Sequence, residues 1–394
     1  MAKAGRGIGT LAVHGGEPPV RPSRSVTEPV VFASTYPFAD TAELVAFMRG
    51  ETDRTPEYGR YGNPTVAAVE AKVAALEGAE AACAFASGMA AVTTTLLGFL
   101  RPGQHAVLTD DVYRKTRVFA LDTLSRYGVE TALVEPTAEA VAAALRPNTR
   151  LVFTELPTNP YLRVPDLDRI VSAAHEHGTK VVLDATFATP VNLRALEHGV
   201  DLVVHSSTKY LGGHNDVLGG FVCGRRGPVE AIRDLRGTLG GILDPHAAFL
   251  TLRGIKTLEL RVRRQNATAL AVAELLEGHR AVERVYYPVL ASHPDVQVAR
   301  ALLEGGGGVV SFVVAGGLDG GRRFVDALAI PKLAPSLGGV ESLVEQPALM
   351  SFFDLGPEGR ARIGIAEGLV RLAVGIEDTA DLLTDVAAAL DRIA

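Results

Sequence analysis

One lysine in this chain has a setting that could do chemistry. The stretch Asp201-Leu-Val-Val-His-Ser-Ser-Thr-Lys-Tyr-Leu-Gly-Gly-His214 runs from a short apolar segment, through three hydroxyl residues, to Lys209 and a glycine pair. Leu202 to Val204 read as a strand in a covered sheet, and Gly212-Gly213 break the structure behind the lysine. An amine at the end of a buried strand loses hydration, which favours its neutral form. A neutral amine is a nucleophile that can form a Schiff base with an aldehyde. Ser206 and Thr208 add hydroxyls able to donate to a phosphate. An aldehyde and a phosphate on one molecule describe pyridoxal 5'-phosphate (PLP). A surface lysine following a strand is the alternative that this stretch leaves open.

Other positions bear on that choice. Asp184 ends the apolar run Val181-Val182-Leu183. A buried carboxylate is costly unless paired. A protonated pyridine nitrogen would pair it and keep the ring an electron sink; capping the next helix is its other use. Ser87-Gly88-Met89 enters an apolar helix, where backbone N–H groups bind phosphate and Gly88 permits close approach. The same residues also make an ordinary helix cap. Tyr113 follows Asp110-Asp111, a helix start by its residues, and its ring could stack on a pyridine face. Arg114, Lys115 and Arg117 place three cations in the first turns of that helix, the end whose dipole repels them. They suit either a bound anion or a solvated basic face. Arg60, within Tyr58-Gly-Arg-Tyr-Gly-Asn-Pro64, is a candidate for a bidentate phosphate contact. Asn159, within Pro157-Thr-Asn-Pro160, follows a strand end. Arg371 opens a late strand and could clamp a carboxylate. Singly, each of these also reads as turn chemistry or a surface ion pair. The ten histidines have no metal-ligand grouping, so no metal is expected. No Gly-x-Ser-x-Gly elbow is present either.

The elements that must hold these residues are legible in part. Residues 1 to about 60 are rich in proline and glycine, with little periodicity, and suit an arm that wraps a partner subunit. From Pro64 the apolar spacing is helical, and Gly78 closes that helix. A second helix runs from Ser87-Gly88-Met89 to about Leu100. Strands are expected at His105–Thr109, Glu130–Val134, Leu151–Glu155, Lys180–Asp184 and Gly220–Cys223. Between them helices are expected at Val112–Tyr127, Ala138–Leu145 and Leu167–His177. This alternation marks an α/β fold with a mostly parallel sheet, whose ligands bind at the carboxyl ends of the strands. Beyond residue 250 the pattern changes. A long helix over Leu252–Glu277, strands at Val309–Val314 and Arg371–Gly375 and a closing helix at Thr379–Ile393 suit a smaller α+β domain. The division expected is an arm over 1–63, a large cofactor-binding domain over 64–250 and a small domain over 251–394. Gly305 to Gly308 read as a loop, since no lysine or helix start follows them.

Composition narrows the class. The 394 residues are 47% hydrophobic and 21% charged, which is the profile of a globular enzyme with ample core. A net charge of −6 provides no basic footprint for nucleic acid. No apolar run is long enough to span a membrane. Met1 to Gly16 lack the apolar core of a secretory signal. Only two cysteines, Cys83 and Cys223, are present, both in apolar surroundings. No disulfide framework is implied, and a cytoplasmic location is expected.

Seven segments in this order resemble the trans-sulfuration (Cys/Met metabolism) family of PLP-dependent enzymes. They are Tyr58-Gly-Arg-Tyr-Gly-Asn-Pro, Ala86-Ser-Gly-Met-Ala, Glu155-Leu-Pro-Thr-Asn-Pro, Asp184-Ala-Thr-Phe-Ala-Thr-Pro, Ser206-Ser-Thr-Lys-Tyr-Leu-Gly-Gly-His, Ser336-Leu-Gly-Gly-Val-Glu-Ser and Arg371-Leu-Ala-Val-Gly-Ile-Glu-Asp. They span nearly the whole chain. The resemblance implies the fold-type I architecture of PLP-dependent transferases. It implies Lys209 as the lysine that holds PLP and Asp184 as the partner of the ring nitrogen. Gly88, Met89, Ser206 and Thr208 resemble the phosphate cup, and Tyr113 the stacking tyrosine, which also serves proton transfer. Tyr58 and Arg60 resemble the pair that reaches the phosphate from a neighbouring subunit, which implies a homotetramer built from dimers. Asn159, Ser336 and Arg371 resemble the groups that orient the ring oxygen and the substrate carboxylate.

Two segments depart from most of the family. Tyr113-Arg-Lys-Thr116 stands for Tyr-Gly-Gly-Thr, and Met350-Ser-Phe352 for Met-Thr-His. Tyr113-Arg-Lys-Thr116 with the following Arg117-Val-Phe119 is similar to the plant type of cystathionine γ-synthase, as are Phe187-Ala-Thr-Pro, His214-Asn-Asp-Val-Leu and Gln346-Pro-Ala-Leu-Met-Ser. The resemblance implies γ-replacement on an activated homoserine, phospho- or acyl-, with cysteine to give cystathionine. Lys115 is then a candidate for a distal phosphate. γ-Elimination and a specialised relative that expels another γ-group such as halide are the alternatives, with Glu341 near the entrance a residue that separates members.

Overall fold

The structure is a computed structural model that describes residues 5–393 except Pro22 and Asp53. It contains two sheets. The strands of the larger are β1 (Ala81–Phe85), β2 (His105–Thr109), β3 (Glu130–Val134), β4 (Thr149–Glu155), β5 (Lys180–Asp184), β6 (Leu202–Ser206) and β7 (Gly220–Gly224). Their order is β1-β7-β6-β5-β4-β2-β3. The five neighbours from β6 to β3 are parallel, and β7 runs antiparallel to both β6 and β1. This is the α/β architecture with a mostly parallel sheet that the alternating pattern predicts.

Strand alternation explains how this sheet is covered on both sides. Val181 and Leu183 of β5 join the core on one face, while Val182 joins the core on the other. Val203 of β6 and its neighbours Leu202 and Val204 divide in the same way. Each fully buried Val, Leu or Phe contributes about 1.5–3 kcal/mol. A core of that kind offsets the cost of the polar groups buried at the strand ends.

The chain order reverses between β2 and β4, since β3 lies outside β2 while β5 and β6 extend beyond β4. Such a reversal opens a crevice at the carboxyl ends of the strands. The helix Pro64–Glu77 packs against β1 and β7. Asn63 caps it by accepting from the N–H groups of Thr65 and Val66, and Gly78 ends it in the left-handed conformation at φ 69°.

The smaller sheet contains β8 (Val282–Tyr286), β9 (Val309–Val314), β10 (Lys332–Leu333), β11 (Leu343–Glu345) and β12 (Leu369–Ala373), in the order β10-β11-β12-β9-β8. Its own core includes Phe312 and Phe324, packed edge to face at 5.4 Å. No helix among the described residues is long and apolar enough to cross a membrane.

Several local expectations change. The long helix expected over Leu252–Glu277 is two, Pro245–Ile255 and Leu258–Glu277. At the break the Gly254 carbonyl accepts from the Thr257 N–H and from Arg261 Nη2 instead of continuing the helical ladder. The helix expected from Val112 starts at Arg114, then widens and tightens over Phe119–Tyr127. Tyr113 is held outside it because its N–H donates to the buried Glu155 carboxylate at 2.6 Å. Arg371 is the third residue of β12 rather than its first. Among the described residues before Pro64, those outside the helices Ile8–His14 and Thr41–Met48 are irregular apart from a bridge between Thr35 and Tyr58. β1, whose Ala-Ala-Cys-Ala-Phe sequence has little strand character, and β8 carried no recognisable signal.

Candidate active site

A cavity of about 290 Å³ lies at the carboxyl ends of the parallel strands. Its lining brings together Gly88, Met89, Tyr113, Asn159, Asp184, Ser206, Thr208, Lys209, Ser336 and Arg371. These come from seven separate segments of chain. All were singled out from sequence. Tyr58, Arg60, Lys115 and Glu341 are not among the lining residues.

Lys209 follows β6 by three residues, in a turn closed by its own carbonyl, which accepts from the Gly213 N–H at 2.8 Å. Gly213 has φ 71°, and a Cβ there would collide with the guanidinium of Arg261. Glycine is required on both counts. Lys209 Nζ donates to Ser336 Oγ at 2.7 Å. Burial, with help from the charge of Arg371 and opposition from Glu345, lowers the lysine to about 8. Ser336 itself has φ 99°, a strained conformation for a serine. That backbone lets its hydroxyl meet Lys209 while its carbonyl accepts from Arg371 Nη2 at 3.2 Å.

Asp184 ends β5, opposite Glu155 at the end of β4. Its Oδ1 accepts from the Thr186 N–H at 3.0 Å, and among the described residues it has no ion-pair partner. Burial raises its carboxyl above the ordinary range. Glu155 is pushed well above that range, first by burial and then by the charge of Asp184. Two buried acids side by side, neither in an ion pair among the described residues, suit a ring with a protonated nitrogen.

The cradle for an anionic tail lies beside them. Ser87 Oγ caps the helix Gly88–Phe99 through the Ala90 N–H at 3.1 Å. The Gly88 and Met89 N–H groups stay at the open helix end, where none has an intrahelical acceptor. A Cβ on Gly88 would stand 2.7 Å from Ser206 Cβ, so a side chain there would fill the gap between helix and strand. The residues therefore fit an aldehyde-bearing aromatic ring with a phosphate tail.

Arg371 reaches the cavity from the small sheet. Its Nη1 donates to Asn159 Oδ1 at 3.1 Å, and its Nε has no partner among the described residues. Nη2 lies 2.9 Å from Oε1 of Glu345, its direct neighbour across β11 and β12. Sequence reasoning missed Glu345. Its only sequence signal is an acid in the apolar run Leu343-Val-Glu345. Glu155 was noticed only as part of a motif, and its bond to Tyr113 joins two segments far apart in sequence.

At the basic helix start, read as suiting either a bound anion or a solvated face, two of the three cations are tied to the protein itself. Arg114 donates to the Ser351 carbonyl at 2.7 Å and to Asp354 at 2.6 Å, and Arg117 donates to the Asp110 carbonyl at 2.5 Å. Lys115 is exposed. Glu341 lines an adjoining groove that shares Thr208, Pro335 and Ser336 with the cavity, and it accepts from Asn215 Nδ2 at 2.7 Å. Arg60 donates to the Gly237 carbonyl at 2.7 Å, and its guanidinium lies over Tyr58 and Tyr61. His205, just before the hydroxyl cluster, pairs with Glu77 at 2.5 Å in the core. His214 bonds the Gly212 carbonyl. Among the described residues no acidic, histidine or cysteine cluster could hold a metal ion.

The chain is similar to known proteins over its whole described length. The model of the family described as Cys/Met metabolism PLP-dependent enzyme matches residues 9–391. Cystathionine gamma-synthase 1, chloroplastic, of Arabidopsis thaliana is 48% identical over 98% of this chain and 69% of its own length. L-methionine gamma-lyase of Pseudomonas putida is 42% identical over 98% of this chain and 97% of its own. The crystal structure of metB from Corynebacterium glutamicum superposes with a TM-score of 0.93 at 36% identity and covers 100% of both chains.

Proposed function

The chain belongs to the Cys/Met metabolism PLP-dependent enzyme family, and from that premise we propose that it catalyses γ-replacement on an activated homoserine with cysteine, giving cystathionine. The carrying observation is the gradient of identity, 48% to a plant cystathionine γ-synthase against 42% to a methionine γ-lyase, at equal coverage of this chain.

PLP, when bound, supplies an aldehyde for the substrate amine and a ring that draws electrons from Cα. Asp184 would hold the ring nitrogen in its protonated form. The N–H groups of Gly88 and Met89, with Ser206 and Thr208, would hold the phosphate. Tyr113 would cover the ring face. Arg371 and Asn159 would fix the substrate α-carboxylate, so that the Cα–H bond faces Lys209. Lys209 Nζ would take the Cα proton and return protons along the chain of substrate carbons, a role suited to an amine near 8. Loss of the γ-group and addition of the cysteine thiol at Cγ complete the exchange.

On this reading Tyr58 and Arg60 serve the phosphate of a neighbouring subunit in a homotetramer, and Lys115 meets a distal anionic group of the substrate. Residues 1–63 act as the arm, 64–250 as the cofactor domain and 251–394 as the small domain. The free buried cysteines Cys83 and Cys223 suit a reducing, cytoplasmic setting. γ-Elimination is the second reading, favoured by the lyase relative. Incubation with phospho-, acetyl- and succinyl-homoserine, with and without cysteine, and mass analysis of products separates the two. Cystathionine formed only with cysteine supports replacement. Release of a 2-oxo acid and ammonia without a thiol product would overturn it.

A further inference from the structure

The pair formed by Arg371 and Glu345 has an odd construction for a binding site. Arg371 is 6% exposed and Glu345 2%. They are register partners on adjacent antiparallel strands, so the backbone holds them together. Their nearest atoms are 2.9 Å apart, yet the arginine hydrogens do not align with Glu345 Oε1, which is left without a hydrogen bond. Arg371 Nε likewise carries a buried, unused hydrogen. Both side chains face the cavity that holds Lys209. The arginine is thus neutralised by a carboxylate that makes poor use of its donors.

We propose that Glu345 is a specificity-determining residue that competes with the substrate α-carboxylate for Arg371, and so sets how tightly the site takes any amino acid. The inference rests on the reading of Arg371 as the carboxylate site. An incoming carboxylate gains the aligned bonds that Glu345 does not make, including one to Nε. It also enters beside a resident negative charge, which at close range in a buried site is strongly repulsive. The arginine therefore favours ligands whose carboxylate aligns with its open donors, while the glutamate holds their affinity down. Weak binding of carboxylates suits an enzyme that must release an amino-acid product after each turnover.

The test uses holoenzyme and two amines without a γ-leaving group, L-alanine and ethylamine, which differ by the carboxylate alone. Binding of each is followed by the change in cofactor absorbance. E345Q keeps the shape and removes the charge. Its Kd for alanine should fall about tenfold, the equivalent of about 1.4 kcal/mol, with ethylamine unchanged. KM for the amino-acid substrate should fall with it, and kcat should change less. E345D, which keeps the charge, should stay near wild type, and it serves alone if E345Q does not fold: a Kd for alanine lowered tenfold in E345D would overturn the proposal. Alanine binding in E345Q that is unchanged or weaker, or tightened equally for both ligands, would also overturn it. R371K tests the underlying reading separately. If R371K leaves the alanine-to-ethylamine ratio unchanged, the assignment of Arg371 itself fails.

Discussion

Replacing Lys209 by methionine in the cofactor-free protein tests the electrostatics of the cavity apart from catalysis. Lys209 titrates at about 8 in the fold, against an ordinary 10.5, with burial the main cause. At about 1.36 kcal/mol for each pH step of one, the fold disfavours its ammonium by roughly 3 kcal/mol at neutral pH. The opposing term is the bond from Nζ to Ser336 Oγ, worth about 1 kcal/mol. Desolvation therefore wins, and cofactor-free K209M should exceed cofactor-free wild type in stability by about 2 kcal/mol at pH 7. A lowered lysine gains stability as pH rises, because the neutral amine suits the fold better than the unfolded chain does. The wild-type penalty is full below about pH 8, shrinks between about 8 and 10.5, and is gone above. The gap between the two proteins should therefore narrow sharply by about pH 10. Urea denaturation of both proteins after removal of PLP, at neutral and alkaline pH, measures it. A K209M protein less stable at pH 7, or a gap that ignores pH, would refute the reasoning. With PLP added, K209M should lack the absorbance of the lysine Schiff base and stay inactive.

Other substitutions probe the neighbours of that lysine. Glu155 is raised well above the carboxylate range by burial and by Asp184, so its ionised form destabilises the cofactor-free fold as pH rises. E155Q, which keeps an acceptor for the Tyr113 N–H, should be the more stable protein at pH 7, with the advantage vanishing toward about pH 4, where both states hold the proton. A stability difference constant across that range in calorimetry would count against the assignment. Gly213 has a left-handed φ of 71° and no room for a Cβ beside Arg261. G213A should lose at least about 1–2 kcal/mol from backbone strain. Because the Gly213 N–H bonds the Lys209 carbonyl, G213A should also capture PLP more slowly in a spectral titration. Normal capture would show that the turn does not position the lysine.

Much of this molecule could be read before its coordinates. Strands of the large sheet such as Lys180–Asp184 and Leu202–Ser206 announce themselves as apolar runs, because burial on both faces leaves no polar alternation. Asp184, Ser206 and Lys209, proposed above to hold the cofactor, stand at or just after strand ends, where local sequence makes them legible. Resemblance then tied them to Gly88, Asn159 and Arg371. Weak strands such as Ala81–Phe85 were invisible, since alanine and cysteine carry little strand preference and only pairing with β7 makes them a strand.

Long-range pairing decided the rest. Local spacing placed Tyr113 inside a helix, but a carboxylate from β4 holds it outside. The charge pattern left Arg114 to an anion or to solvent, yet it is tied to Ser351 and Asp354 from the small-sheet side of the chain. Glu345 acquires meaning only when β11 and β12 set it against Arg371. The amino-acid sequence, through its residue types beside apolar runs and its family resemblance, thus determined the class of cofactor chemistry. The tertiary structure alone decided the electrostatic balance of the cavity, because charge interactions depend on distance and burial, and those are set by residues tens to hundreds of positions apart.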